Sequence, residues 1–493
     1  MKLNTKHFLL FGLPLLFTAQ SCNKYLDQEP DNRTQINSVS KVAQLVATAY
    51  PQYDYYTFTE AASDNAEDKG NGVGTTADVS TLPYFWKDVV GAGTGTSTNY
   101  WNGCYSGIAA ANQALESIQQ NDFGNAVLPY KGEALVARAY AHFMLVTFFA
   151  KEYTIGGAND SPGIPYVTVP ETKVIQQYDR GTVKSTYEQI EKDLTEGIAL
   201  LSASAYSVPK YHFTPAAAHA FAARFYLFKG EYQKVIDHAN AVVAGGDYTG
   251  QVRPFNSSLA AMSTADYQAA LTKSDQKHIL LLANQYSAYQ RLTSPRYGYG
   301  QNLVKMFAAG GSSGNITGKA YQNKILSYGV PNYTAYKYRE YFYVTDQVAN
   351  IGFPYIMAPL LITDEALLNR GEAYAKLGQY ENALKDANLI LANTVANYNP
   401  AADAATQAKV ATFYGVADPK EGIVKLILDI KKAQFLQEGM RWMDILRNHL
   451  PVKHNIYDAN GVETFVTLEA GDNRRVFQIP EEAKLSGVPL NPR

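Results

Sequence analysis

The chain has 493 residues and carries 43 lysines and arginines against 45 aspartates and glutamates, a formal charge of −2. That balance leaves no cationic footprint for nucleic acid, and the length allows either two or three average domains or one large interrupted solenoid. Charged residues are only 18% while aromatic residues reach 12%, with 37 tyrosines, a composition that suits a ligand-contacting surface or a tyrosine-rich helical core.

The amino terminus predicts an export signal. Lys2 and Lys6 precede an apolar run from Phe8 to Ala19 that is too short to span a bilayer, and Ala19-Gln20-Ser21-Cys22 reads as a lipoprotein cleavage site. Residues 1–21 are then a signal peptide, and Cys22 becomes the acylated first residue of a mature chain over 22–493. No later stretch approaches the roughly 20 apolar residues that a spanning helix needs. Cys104 is left without an intramolecular partner, so no disulfide framework is expected and its thiol reads as a small packed group.

A short helix is expected over Ser38–Tyr50. From Tyr53 to Tyr100 the helical period lapses, and Gly70, Gly72, Gly74, Gly91, Gly93 and Gly95 predict loops. Helices return at Trp101–Gln119 and Pro129–Ala150, followed by a glycine- and proline-rich crossing at Gly156–Pro170. Thr182–Leu201 is amphipathic on Val183, Tyr187, Ile190, Leu194 and Ile198. A helix pair at Thr214–Ala244 opens with Thr214 as N-cap and Pro215 at the first helical position.

Gly245–Pro359 is a long insertion. Within it His278–Ala283 (HILLLA) predicts a buried strand, and eleven tyrosines lie between residues 286 and 343. Alternation in an extended segment would put Tyr336 and Tyr338 on one face and Tyr341 and Tyr343 on the other. Thr363–Thr394 follows, with one apolar stripe through Leu367, Ala373 and Tyr374 and another through Tyr380, Ala383 and Ala387. Gly378 between them suits a left-handed helix end, and the spacing is that of a tetratricopeptide helix pair. Ala223, Tyr226, Gly230, Tyr232, Val235 and Ala239 repeat it at a constant offset from Gly371, Tyr374, Gly378, Tyr380, Ala383 and Ala387. One pair cannot bury its own apolar faces, so a helical scaffold interrupted by insertions is expected. The chain closes with a helix over Ile423–Asn448 and a proline-rich tail.

The residues argue for binding rather than turnover. Asp64, Glu67 and Asp68 are the best local acid cluster, but spacing alone makes neither a glycosidase pair nor the ligand order of a calcium loop. The eight histidines lack zinc spacing, with His212 and His219 read as capping or packing groups, and no nucleophile elbow, P-loop or dinucleotide fingerprint occurs. No cofactor or metal is therefore expected. A glycan site, by contrast, needs a few flat rings beside amides and carboxylates, because sugar C–H faces stack on aromatic rings while hydroxyls need hydrogen-bond partners. Trp86 is the first candidate platform, with Tyr84, Asn99 and Tyr100 near it in sequence. Tyr289, Tyr297, Tyr299, Tyr333 and Tyr336 are further candidates from the insertion, and Asp64 and Asn65 are candidate polar partners.

Several motifs stand in a fixed order. Cys22 is followed by Tyr25-Leu26-Asp27; Trp101, Tyr105, Ile108 and Asn112 share a helix; and Glu133-Ala134 leads to Arg138-Ala139-Tyr140. Gly163-Ile164-Pro165-Tyr166 and Arg180-Gly181-Thr182-Val183 come next. Glu438-Gly439-Met440-Arg441-Trp442-Met443-Asp444 with Arg447, then Phe477-Gln478-Ile479-Pro480 and Asn491-Pro492, close the series. This succession resembles the SusD/RagB family of outer-membrane nutrient-binding lipoproteins over essentially all of Cys22–Arg493.

The resemblance implies a mainly α-helical, SusD-like fold in one domain over 22–493. It comprises a helical part to residue 245, an aromatic insertion over 246–359 and a helical part over 360–493, with ligand loops drawn from 53–100 and the insertion. It also implies a lipid-anchored protein facing the cell surface that captures oligosaccharide for a TonB-dependent SusC-like transporter without cutting it. Trp101, Arg441 and Trp442 belong to the family's helix signatures and are read as structural. The rival readings are an oligopeptide-import lid and a ligand-free protein-interaction scaffold.

Overall fold

A computed structural model describes residues 36–173, 175–289, 294–310 and 314–493, so Cys22 and the export signal lie outside the described residues. Three short helices come first, α1 (Val39–Val46), α2 (Tyr56–Ala62) and α3 (Asp78–Tyr84), with the two-residue strand β1 (Glu67–Asp68) between the last two. A row of long helices follows: α4 (Ser97–Gln120), α5 (Leu128–Phe149), α6 (Val183–Ile198), α7 (Pro215–Lys229) and α8 (Tyr232–Val242). The insertion holds α9 (Thr264–Thr272), β2 (Ile279–Tyr286), β3 (Tyr297–Gly298), α10 (Gln301–Val304), β4 (Ile325–Ser327), β5 (Tyr333–Ala335), β6 (Tyr341–Asp346) and β7 (Ile351–Ile362). The helical row resumes with α11 (Thr363–Lys376), α12 (Tyr380–Thr394), α13 (Pro400–Asp403), α14 (Gln407–Tyr414), α15 (Pro419–Gln434) and α16 (Met440–Arg447), and a hairpin of β8 (Val452–Tyr457) and β9 (Glu463–Leu468) comes last. Among the described residues no helix is long and apolar enough to cross a membrane.

The expected tetratricopeptide-like pairs form. α7 packs on α8 and α11 on α12, with α8 against α11 so that the second pair stacks on the first. Gly230 (φ 74°) and Gly378 (φ 77°) make the left-handed turns between partners. Gly371 faces Ala383, and a Cβ there would lie 3.3 Å from the Asp386 Cβ, which explains why a small residue sits at the crossing. α5 pairs with α6 in the same manner, and Thr182 and Ser185 cap α6 reciprocally.

Buried arginines lock two of the pairs and join the third to its neighbour. Arg138 of α5 donates two hydrogen bonds to Asp193 of α6 (2.7 and 2.8 Å) and a third to Asn112 of α4 (2.8 Å). Arg370 of α11 does the same to Asp386 of α12 (2.8 and 2.7 Å) and to Asn240 of α8 (2.7 Å). Arg224 of α7 forms a two-pronged pair with Glu365 of α11, 2.6 Å at each contact. Planar guanidinium groups suit this role because they bind carboxylates at two points. Breaking one such buried pair costs about 3–5 kcal/mol, since the remaining charge is left desolvated.

The insertion is tied to the row by a sheet. β2, β7 and β6 form an antiparallel sheet in that order, and β7 runs directly into α11. The HILLLA strand forms as expected and continues to Tyr286.

Three expectations are corrected. The 53–100 region is not all loop: α2 and α3 lie within it, and every residue of α2 (YTFTEAA) is buried, so it shows no polar face and no period. The helix expected over 423–448 is two helices, α15 and α16, broken at Gln437 (φ 71°) and Gly439 (φ 68°). The extended run expected from Tyr336 begins only at Tyr341, because Tyr338 turns inward and stacks on Tyr56 at 5.2 Å and 12°.

Replacing Gly439 by alanine should destabilise the protein by about 2–4 kcal/mol in urea unfolding. A Cβ there would strain a left-handed backbone and sit 2.6 Å from the Thr59 hydroxyl and 2.7 Å from the Tyr55 ring; unchanged stability would contradict this packing. Buried His142 supplies a pH signature. Its Nδ1 faces the Arg138 carbonyl (2.9 Å), its Nε2 accepts from the Val167 N–H (3.1 Å), and burial pulls its pKa down to about 3. The unfolded chain therefore takes up this proton first, so stability should decline below about pH 6.5 by up to about 1.4 kcal/mol per pH unit, the loss ending near pH 3. Urea titrations between pH 7 and 4 should show a shallower slope for His142→Gln than for the native chain.

Candidate functional site

The loops after α2 and the insertion meet at β1. Glu67 and Asp68 pair with Gly298 and Tyr297 of β3 in an antiparallel ladder, and Arg296 clamps Asp68 through two hydrogen bonds of 2.7 and 2.9 Å. Behind this pairing stands a column of rings. Trp86 stacks on His454 (4.7 Å, 11°), His454 on Tyr84 (4.0 Å, 2°), and Tyr84 on Tyr297 (4.6 Å, 30°). His454 sits on β8, and its two ring nitrogens face the carbonyls of Tyr84 (2.8 Å) and Ser63 (2.9 Å). The Tyr84 hydroxyl accepts from the Asp68 N–H (2.8 Å) and donates to the Asn455 carbonyl (2.7 Å), while burial raises its pKa.

Trp86 is therefore not an open stacking platform. One face lies on His454, Arg474 sits over the ring, and the indole N–H donates to the Ala62 carbonyl at 3.0 Å. Its backbone is left-handed (φ 52°), which turns the ring inward, and only 6% of the residue is exposed. Tyr84 is likewise enclosed, and Tyr100 packs in the core against Tyr55, Phe58 and Phe148, with Asn99 buried beside it in the first turn of α4. The tail hairpin covers Trp86 and Tyr84 through His454, and α2 and α5 cover Tyr100 through Phe58 and Phe148.

Tyr289, Tyr297 and Tyr299 are brought together. With Glu60, Thr334 and Gln437 they line a narrow cleft of about 30 Å³, room for about one water molecule. The Tyr289 and Tyr299 hydroxyls lie 2.9 Å apart, and Tyr299 donates to Glu60 at 3.0 Å. Glu60 also accepts from Asn65 (2.9 Å) and from the Gly439 N–H (2.7 Å). Burial raises the Glu60 pKa, and these three donors oppose the rise. Asn65 is thus spent on a buried carboxylate and is wholly enclosed. Tyr333 and Tyr336 are half-buried outside this cleft: Tyr333 donates its N–H to the Tyr299 carbonyl (3.2 Å), and the Tyr336 hydroxyl meets that of Tyr328.

On the other side of Ala66, which lines both spaces, lies a polar cleft of about 300 Å³, at the lower bound for a small-molecule site. Asp64, Asn302, Asp429, Lys432, Lys453 and Phe465 line it. Asp64 is paired with Arg441 (2.8 Å) and Lys432 (3.0 Å). Burial alone would raise the Asp64 carboxyl, but those two cations outweigh it and hold the group far below the usual carboxylate range. Asp429 accepts from the Tyr414 hydroxyl (2.7 Å), and burial raises it. Glu67 accepts from the Leu303 N–H (2.8 Å). Phe465 is 54% exposed with the Lys453 ammonium 4.2 Å from its ring centre. Sequence reasoning did not single out Phe465, Lys453 or Asn302. The alternation of β9 was the available signal, since it puts Phe465 on the same outward face as Glu463 and Thr467.

Residues 24–227 match the family model described as "Starch-binding associating with outer membrane", and residues 245–485 match that of the SusD family. The chain belongs to the SusD/RagB family. No curated protein matches it. Solved structures of SusD-type proteins share its fold. A SusD-like carbohydrate binding protein from Bacteroides vulgatus is 15% identical with a TM-score of 0.61, covering 91% of this chain and 96% of its own. A SusD superfamily protein from Bacteroides thetaiotaomicron is 19% identical with a TM-score of 0.59, covering 92% and 100%. A laminarin binding SusD-like protein is 16% identical with a TM-score of 0.57, covering 92% and 98%.

The SusD/RagB signature at the carboxyl end has a structural reading here. Trp442 is fully buried, Arg441 holds Asp64, and Arg447 pairs with Glu372 of α11 at 2.5 and 2.8 Å. The ring column should therefore behave as core. Trp86→Ala should lower stability by about 3–5 kcal/mol in urea unfolding, and a variant as stable as the native chain would show that the column does not hold the loops.

Proposed function

We propose that this SusD/RagB protein is a lipid-anchored outer-membrane protein that binds a glycan in the polar cleft beside β1 and passes it, uncut, to a TonB-dependent SusC-like transporter. The observation that carries the reading is an open cleft of about 300 Å³ in which a half-exposed ring, Phe465, stands beside the Asn302 amide and the Lys453 ammonium. A flat apolar surface next to hydrogen-bonding groups is the chemistry a sugar ring requires. The carbohydrate-binding and laminarin-binding proteins that share the fold support the same class of ligand.

Binding without cleavage is supported by the state of the acids. Asp64 is tied to two cations, Asp429 to a tyrosine hydroxyl and Glu67 to a backbone N–H. Glycoside cleavage needs one carboxyl poised to give a proton while a second attacks or activates water, and acids already engaged in this way are poorly placed for it. The lipid anchor expected at Cys22 would keep the protein near its transporter at high effective concentration, and the stacked helix pairs offer a rigid face for that partner.

Affinity electrophoresis through gels containing single polysaccharides tests the reading. Phe465→Ala should weaken retardation by about fivefold in apparent Kd, since one stacked ring contributes about 1 kcal/mol, with the melting temperature unchanged. Equal retardation of native and variant by every binding polymer would place the site elsewhere.

A further inference from the structure

A second groove lies away from β1, between the end of α1, the turn at Pro209–Tyr211 and one face of the β2–β7 sheet. Its volume is about 550 Å³, larger than either cleft at β1. Period-two alternation puts Leu282, Asn284 and Tyr286 of β2 on the groove side, and Met357 of β7 stands opposite Asn284. Thr48 and Gln52 form the facing wall, and Tyr211 closes the end with 39% of its surface exposed.

The chemistry of this lining is distinct. No charged side chain lines the groove among the described residues. The side-chain amides of Gln52 and Asn284 and the Tyr211 hydroxyl make no hydrogen bond within the protein among those residues. Thr48 donates to the Leu45 carbonyl at 2.7 Å, which leaves its oxygen able to accept. Tyr286 is braced by Tyr53 (5.5 Å) and by the edge of Phe353 (5.6 Å), so its ring is held at low entropic cost. Two rings, two unspent amides and a hydroxyl therefore face one open, uncharged space.

We propose that this groove is a second carbohydrate-binding face, taking neutral sugar rings. Tyr211 and Tyr286 offer apolar faces to sugar C–H groups, and the Gln52 and Asn284 amides both donate and accept, as a pair of neighbouring hydroxyls does. A uronate or sulfate would be desolvated there without a counter-charge, which selects against acidic sugars. An extended peptide could not pair with β2 at Tyr286, whose N–H is already donated to the Gln52 carbonyl at 2.8 Å. The proposal shares its ligand class with the function proposed above but not its residues.

The test is affinity electrophoresis of the mature chain and of Tyr211→Ala, Asn284→Ala and Phe465→Ala through amylopectin, laminarin, galactomannan and polygalacturonate. At least one neutral polymer should retard the native chain, and Tyr211→Ala and Asn284→Ala should each raise the apparent Kd for it about fivefold with an unchanged melting temperature. The proposal is overturned if both variants are retarded like the native chain, if polygalacturonate alone retards it, or if no polymer does. Full binding by Phe465→Ala together with loss in Tyr211→Ala would remove the cleft at β1 as the site and keep the groove. The converse would remove the groove and keep the cleft.

Discussion

Glu438 is a buried carboxylate that accepts from two cations of the insertion, Arg253 and Lys337, each at 2.6 Å. The next residue, Gly439, gives its N–H to Glu60 of α2, and Arg441 two positions on holds Asp64. Within five residues the chain thus fastens the insertion, the loops after α2 and the helical row to one another. Burial pulls the Lys337 ammonium down to about 8, so this junction is assembled from groups that pay heavily in desolvation and recover it only when all partners are present. Such a junction favours one arrangement of the loops over many, because any partial version leaves a buried charge unmatched.

The same logic runs along the helical row. Arg138 with Asp193 and Asn112, and Arg370 with Asp386 and Asn240, are the same three-residue device placed at two pairs of helices. Apolar stripes bring the helices together without fixing where along their length they meet. The guanidinium groups supply that register, because two parallel hydrogen bonds to one carboxylate tolerate little sliding. Motif residues such as Glu133, which accepts from Tyr50 (2.5 Å) and faces His212 (2.9 Å), belong to this framework rather than to a site.

Many of the tyrosines are core. Tyr56, Tyr84, Tyr100, Tyr140 and Tyr338 are enclosed, and they serve as core that brings a hydroxyl to an otherwise apolar place. Tyr211 and the phenylalanine Phe465 remain open at the edges of two grooves whose electrostatics differ, one lined by ion-paired groups and the other by uncharged amides and hydroxyls. The two grooves thus differ in chemistry while sharing one rigid helical scaffold.

The helix pairs were legible in the chain because the stripe through Ala373 and Tyr374, the left-handed Gly378 and the Thr182 cap are all local: each expresses its preference within about one or two helical turns. The family, and with it the mainly helical fold, followed from motifs of this kind. α2 was hidden because a helix buried on every side has no polar face to reveal its period. The break at Gln437–Gly439 was hidden because the carboxylate that accepts the freed Gly439 N–H, Glu60, lies near the other end of the chain. Trp86 shows the limit most plainly. Its residue type announced a flat ring, but whether that ring faces water or His454 depends on a hairpin folded back from the carboxyl terminus. Sequence by itself determined which segments pair and which residues could stack or donate. Tertiary structure alone decided which of them remain uncovered, since exposure is a property of what packs on a side chain and not of the side chain.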